Sequence, residues 1–178
     1  MMKSVKILLA LFITMVLIVP VSVMAEIVKE YYPSGKIMKE ISTKAGNREG
    51  ITKIYYENGK LKEEISYKSG VKEGINKEYY ESGVLMEEVN YTEGNKNGVA
   101  KLYYENGTLK KEIPYKDDLK NGVLKHYYEN GKLKKEITYK NGKKNGITKY
   151  YRTDGTVKKV VRYRDGKKYE IKGQFPPK

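Results

Sequence analysis

Glycine returns at Gly35, Gly59, Gly83, Gly107, Gly131 and Gly155, a fixed interval of 24 residues. A second series runs Gly50, Gly74, Gly98, Gly122 and Gly146. A third runs Gly46, Gly70 and Gly94, then Asp118, then Gly142 and Gly166. A strict period in this range marks a repeat architecture, in which each unit buries its face only against its neighbours. No insertion breaks the register from Ile27 to Gly166, which makes six copies, the last incomplete.

Each copy reads as two strands around a turn. KIYYENGKLKEEI from Lys53 returns as KLYYENGTLKKEI from Lys101 and KHYYENGKLKKEI from Lys125. Asn-Gly between such segments predicts a two-residue type I′ turn, which needs positive φ at both residues. With Asn58 and Gly59 as the loop, Glu57 faces Lys60, Tyr56 faces Leu61, Ile54 faces Glu63 and Lys53 faces Glu64. One face then carries Tyr56, Leu61, Ile65 and Tyr67. The other carries Tyr55, Lys53 and Glu64, with Ile51 near its end.

The other copies test this register. The Leu61 place holds Ile37, Leu85, Leu109, Leu133 and Val157, and the Ile65 place holds Ile41, Val89, Ile113, Ile137 and Val161. The Lys53 place is lysine in every copy. The place opposite it is glutamate until Val160. Each exposed Lys–Glu pair stabilises by only about 0.2–1 kcal/mol. The pairs also disfavour a one-residue slip, which would turn every apolar side chain to the wrong side.

The stretch from Ser69 to Gly74 joins one hairpin to the next. The expected fold is therefore all-β: an elongated antiparallel meander of six 24-residue hairpin repeats, with about twelve strands at the sheet spacing. Pro114 in a strand and Asp118 in place of a turn glycine mark 114–119 as the expected irregularity.

The start of the chain reads differently. Lys3 and Lys6 precede an apolar run from Ile7 to Val19, then Pro20 and the small-residue ending Val23-Met24-Ala25. That pattern predicts a secretory leader at 1–25, cleaved after Ala25, followed by a repeat domain at 26–170 and a flexible tail at 171–178. The expected location is outside the cytoplasm: secreted, periplasmic or on the cell surface. The full chain carries +14, and loss of Lys3 and Lys6 leaves +12. There are no cysteines, so no disulfide or thiolate metal site is available, and no tryptophans.

Gly-x-x-x-x-Tyr-Tyr-x-Asn-Gly followed by Leu-x-x-x-Ile-x-Tyr-x-x-Gly-x-x-x-Gly resembles the bacterial MORN repeat variant over residues 27–166. It is similar to the YwqK-type proteins, which carry a toxin–antitoxin antitoxin label. Some relatives are labelled phosphatidylinositol-4-phosphate 5-kinase, because those kinases bear such repeats beside a separate kinase domain. The resemblance implies the repeats, and with them membrane, lipid or protein attachment. A cytoplasmic antitoxin role fits poorly with a secretory leader. Choline-binding wall modules resemble the chain less, because their cages depend on tryptophan.

The residues suggest no catalytic constellation. His126 is the only histidine and stands where other copies hold Glu30, Ile54, Glu78, Leu102 and Tyr150, so it reads as a surface variant. No kinase loop is visible. The glutamates face lysines, and no metal or cofactor is expected. The expectation is a non-enzymatic binding protein with two candidate surfaces. One is the row Tyr55, Tyr79, Tyr103, Tyr127 and Tyr151, suited to a protein partner. The other is a basic edge of Lys68, Lys72, Lys116, Lys120, Lys140, Lys143, Lys144, Arg164, Lys167 and Lys168. That edge suits anionic lipid or an envelope polymer. Tyrosines among lysines also suit nucleic acid, which export sets aside. Unpaired terminal strands suggest end-to-end self-association.

Overall fold

The computed structural model describes residues 24–169. The expected leader lies outside the described residues up to position 23, and so does the tail at 171–178. The described chain forms a single antiparallel sheet of 17 strands. No described helix is long and apolar enough to cross a membrane. In the second repeat the strands are Gly50–Tyr55, Leu61–Lys68 and Val71–Lys72. The meander is as expected, and the extra strands come from the connection. Val71 and Lys72 fold back on Lys68 and Tyr67 before the chain moves on.

The primed turn expected at Asn58-Gly59 is found elsewhere. Ser69 and Gly70 both take positive φ, 49° and 81°, so the tight primed turn lies in the connection. At Asn58-Gly59 only the glycine is left-handed, with φ 87°. The Gly59 amide donates to the Tyr56 carbonyl at 2.9 Å, and the Tyr56 amide donates to the Lys60 carbonyl at 2.8 Å. This is a type I turn closed by a glycine bulge. The Asn58 carboxamide oxygen accepts from the Lys60 amide at 2.9 Å, which is the use made of asparagine here. The bulge shifts the register by one residue, so Tyr55 and not Tyr56 stands opposite Leu61. Beyond the bulge the expected register holds, with Ile54 facing Glu63 and Lys53 facing Glu64.

The 114–119 segment is regular, contrary to expectation. Asp117 and Asp118 take φ of 49° and 62°, as Ser69 and Gly70 do, and aspartate tolerates this region. Tyr115 still pairs with Lys120 and Lys116 with Leu119. The Asp118 amide reaches the Lys96 carbonyl of the preceding repeat at 3.1 Å, matching the bond from Gly70 to Arg48 at 2.8 Å.

A single-layer sheet has little interior, and this one places it in one column. The Ile41, Val89, Ile113, Ile137 and Val161 row is buried, as are Thr52, Asn76, Ala100, Leu124 and Thr148 opposite. Asn76 has a specific task. Its side-chain oxygen accepts from the Ser66 amide at 2.9 Å. Two repeats later the equivalent residues are Leu124 and Pro114, an apolar side chain beside a residue with no N–H. Pro114 is thus accommodated within a strand at a place where the amide, in the Ser66 copy, bonds a side chain. Asn76→Leu is expected to lower stability by about 1–3 kcal/mol, the cost of leaving the Ser66 amide without its partner. Adding Ser66→Pro should recover part of that loss in urea denaturation. Two strictly additive losses would sink this account.

Candidate functional site

The consecutive tyrosines of each repeat tie three repeats together. The first tyrosine reaches back. Tyr55, Tyr79, Tyr103, Tyr127 and Tyr151 donate their hydroxyls to Glu40, Glu64, Glu88, Glu112 and Glu136 at 2.7, 3.0, 3.4, 2.7 and 2.6 Å. The second reaches forward. Tyr32, Tyr56, Tyr80, Tyr104 and Tyr128 donate to the backbone carbonyl of the next repeat's first tyrosine at 2.6–2.8 Å. Arg152 ends this second row and bonds Thr156 and the Val157 carbonyl instead. Burial and then the Glu40 hydrogen bond push the Tyr55 hydroxyl up to about 12. Burial and Glu136 push Tyr151 up to about 12 as well, and Tyr127 is raised for the same reasons with Glu112. These hydroxyls are therefore protonated donors at neutral pH. The expected contact row is half-buried, with its polar tips engaged inside the sheet.

The basic edge divides into two groups. Lys72, Lys120 and Lys144 lie over the rings of Tyr91, Tyr139 and Tyr163 at 5.0, 5.5 and 4.9 Å. Arg48 over Tyr67 and Lys96 over Tyr115 complete the series. Each of these lysines also pairs across its own short strand with the tyrosine before it, as Lys72 does with Tyr67. The result is one alternating ladder of cations and rings. Lys68, Lys116, Lys140, Lys143, Arg164, Lys167 and Lys168 are exposed. Arg164 also lies over the Tyr169 ring at 5.5 Å.

Charge is unevenly shared between the halves. Residues 26–97 carry 12 basic and 13 acidic side chains, whereas residues 98–169 carry 20 and 8. On the Lys53 face the charges alternate: Lys53 faces Glu64 and Glu64 faces Lys77. The Lys29–Glu40 and Lys101–Glu88 contacts measure 3.0 and 3.2 Å.

Two further rows are not among the expected surfaces, although the sequence places Ile51 on its face. Ile27, Ile51, Ile75, Val99, Val123 and Ile147 form an aliphatic stripe that is 40–62% exposed. Its signal was an apolar residue at a constant place in every copy. On the opposite face Glu63, Glu78 and Glu87 are neighbours, and so are Lys111, His126 and Lys135. Burial first, then Glu63 and Glu87, raise the Glu78 carboxyl. Burial first, then Lys111 and the other lysines around it, lower the His126 imidazole to about 4. His126 is thus a half-buried neutral ring between lysines.

A cavity of about 100 Å³ lies among Ile65, Asn76, Val89 and Tyr91, rimmed by Glu63 and Glu87. It is smaller than the roughly 300 Å³ at which small-molecule pockets begin. Among the described residues no group of carboxylates and histidine is arranged to hold a metal ion.

A search of curated proteins gave no match. The family profile described as MORN repeat variant matches residues 27–45, 48–69, 72–93, 96–117 and 120–141. The sixth copy, beyond the last matched segment, forms the same hairpin, with Lys143–Tyr151 pairing with Val157–Arg164. With five matched units covering more than half of its length, the chain belongs to the MORN repeat variant family.

Proposed function

We propose that this repeat protein is a non-enzymatic attachment module, exported by its leader, whose C-terminal half docks on an anionic lipid or envelope-polymer surface. The observation that carries this reading is the charge division, 20 basic against 8 acidic side chains in residues 98–169. The exposed Lys116, Lys140, Lys143, Arg164 and Lys167 belong to the same ends of successive hairpins. A polyanionic surface meets such a row with many weak contacts of about 1 kcal/mol per basic residue.

Co-sedimentation with phosphatidylglycerol and with phosphatidylcholine vesicles tests it. Binding is expected to the anionic vesicles alone and to weaken as salt rises. Replacing Lys140, Lys143, Arg164 and Lys167 with glutamine should weaken it by about two to three orders of magnitude at low salt. Replacing Lys36, Lys44 and Lys60 in the other half should leave it nearly unchanged. Equal binding to both vesicle types, or indifference to the four substitutions, rejects the reading.

One observation favours a second reading, a protein partner on the Lys53 face. An aliphatic side chain is exposed there in every repeat, two strands from the next, and a partner of matching spacing would contact all of them. An antitoxin-like role would be one instance of it. A salt-resistant complex lost on Val99→Ser and Val123→Ser would select this reading over the first.

A further inference from the structure

On the face carrying Ile54 and Glu63, one row crosses the sheet in strand order as Ile54, Glu63, Glu78, Glu87, Leu102, Lys111, His126, Lys135 and Tyr150. Its order is symmetric about Leu102. One strand away stand Glu87 and Lys111. Two away stand Glu78 and His126, three away Glu63 and Lys135, and four away Ile54 and Tyr150. Out to four strands, every charged place on one side has its opposite, or a protonatable ring, at the same distance on the other.

The row also departs from the pattern that stabilises the rest of the sheet. On the reverse face the inner lysines Lys53, Lys77, Lys101 and Lys125 face glutamates on both sides, as Lys77 faces Glu64 and Glu88. Here Glu78 faces Glu63 and Glu87, and His126 faces Lys111 and Lys135. Like charges directly opposite destabilise a sheet. The chain thus holds a repelling acidic cluster on one side of an apolar centre and, at the same distances on the other, two lysines flanking an imidazole.

We propose that this face is a homodimer interface, in which a second copy lies across it about a two-fold axis running along the Leu102 strand. Such an axis places residue i on residue j and j on i. Glu87 then meets the partner's Lys111, Glu63 meets the partner's Lys135, and Glu78 meets the partner's His126. Leu102 packs on its own copy at the centre, and Ile54 packs on Tyr150 at each end. The contact spans eight strand spacings, about 38 Å. Two such faces stack as aligned sheets. One step further out, Lys39 would meet the partner's Lys159, but Lys39 is already paired with Glu30 at 3.8 Å.

Sedimentation equilibrium tests the proposal on the purified chain. The wild type is expected to be a dimer at about 0.1 mM, which populates a complex of micromolar affinity, and to dissociate in high salt. Glu63→Lys with Glu87→Lys should abolish the dimer, and so should Lys111→Glu with Lys135→Glu. Mixed together, the two variants should form a 1:1 heterodimer. All four changes in one chain should restore the homodimer. Circular dichroism confirms that each variant keeps its sheet. A monomeric wild type, a dimer that survives both reversals, or variants that stay apart when mixed would overturn the proposal. Survival of the dimer would place the contact elsewhere, such as the aliphatic stripe.

Discussion

Ile137→Ala is expected to lower the free energy of unfolding by about 3 kcal/mol, within the range for removing a buried branched side chain. Ile137 is 4% exposed and belongs to the one continuous cluster with Val89, Ala100, Ile113 and Leu124. It stands opposite Leu124 on one side and Thr148 on the other. A sheet without a covering layer has no second set of side chains to move into the space. Ile65 occupies the same place in the second repeat but is only half-buried. Its truncation should cost less, about 1–2 kcal/mol. Urea titrations of the two variants check this. Equal small losses would mean that the column is not where stability resides.

Gly122→Ala is expected to cost about 3–4 kcal/mol, from left-handed strain together with overpacking. Gly122 has a φ of 122°, and a β-carbon there would lie 3.0 and 3.2 Å from Pro114 Cγ and Cβ. The pyrrolidine ring is rigid and held in a strand, so it cannot swing aside. Gly98 fills the equivalent place one repeat earlier. It has a φ of 93°, and its nearest neighbour is Asn90 Cβ at 4.0 Å. Gly98→Ala should therefore show the backbone cost alone, about 1–2 kcal/mol. Thermal melts of both variants decide the matter. Identical losses would mean that Pro114 contributes nothing. Pro114→Ser combined with Gly122→Ala should recover the difference.

Much of this fold was legible because its signals are periodic. Lys53 opposite Glu64, the Ile65 row and the antiparallel meander all follow from residues that recur every 24 positions. The Asn58-Gly59 turn was misassigned for a definite reason. Asn58-Gly59 carries the strongest local signature of a primed turn, yet its asparagine caps a type I turn through its side chain. Ser69-Gly70 is a weaker signature in the tighter loop. The one-residue bulge that follows could not be read from either dipeptide.

The candidate surfaces divided along the same line. The Tyr55 row was visible as a row, but its hydroxyl partners lie 15 residues away in the preceding repeat. Only the register between repeats connects them. The Glu78 and His126 clusters were hidden for the opposite reason. Their place varies from copy to copy, so it has no period, and variation at one place reads as tolerance until neighbouring strands are aligned.

The tyrosine staples measure separation along the chain and not absolute position. Each spans 15 or 23 residues, whichever repeats it joins. An in-frame recombination that removes or adds one 24-residue unit would therefore leave every remaining staple a partner at the right distance. The sheet can change its copy number without a new folding solution. The proposed pairing around Leu102 lacks that freedom, because loss of the unit that holds Glu78 and Glu87 would set Lys39 against Lys135 at the same distance from the centre. Copy number is thus free where the fold is concerned, and counted where one molecule must meet another.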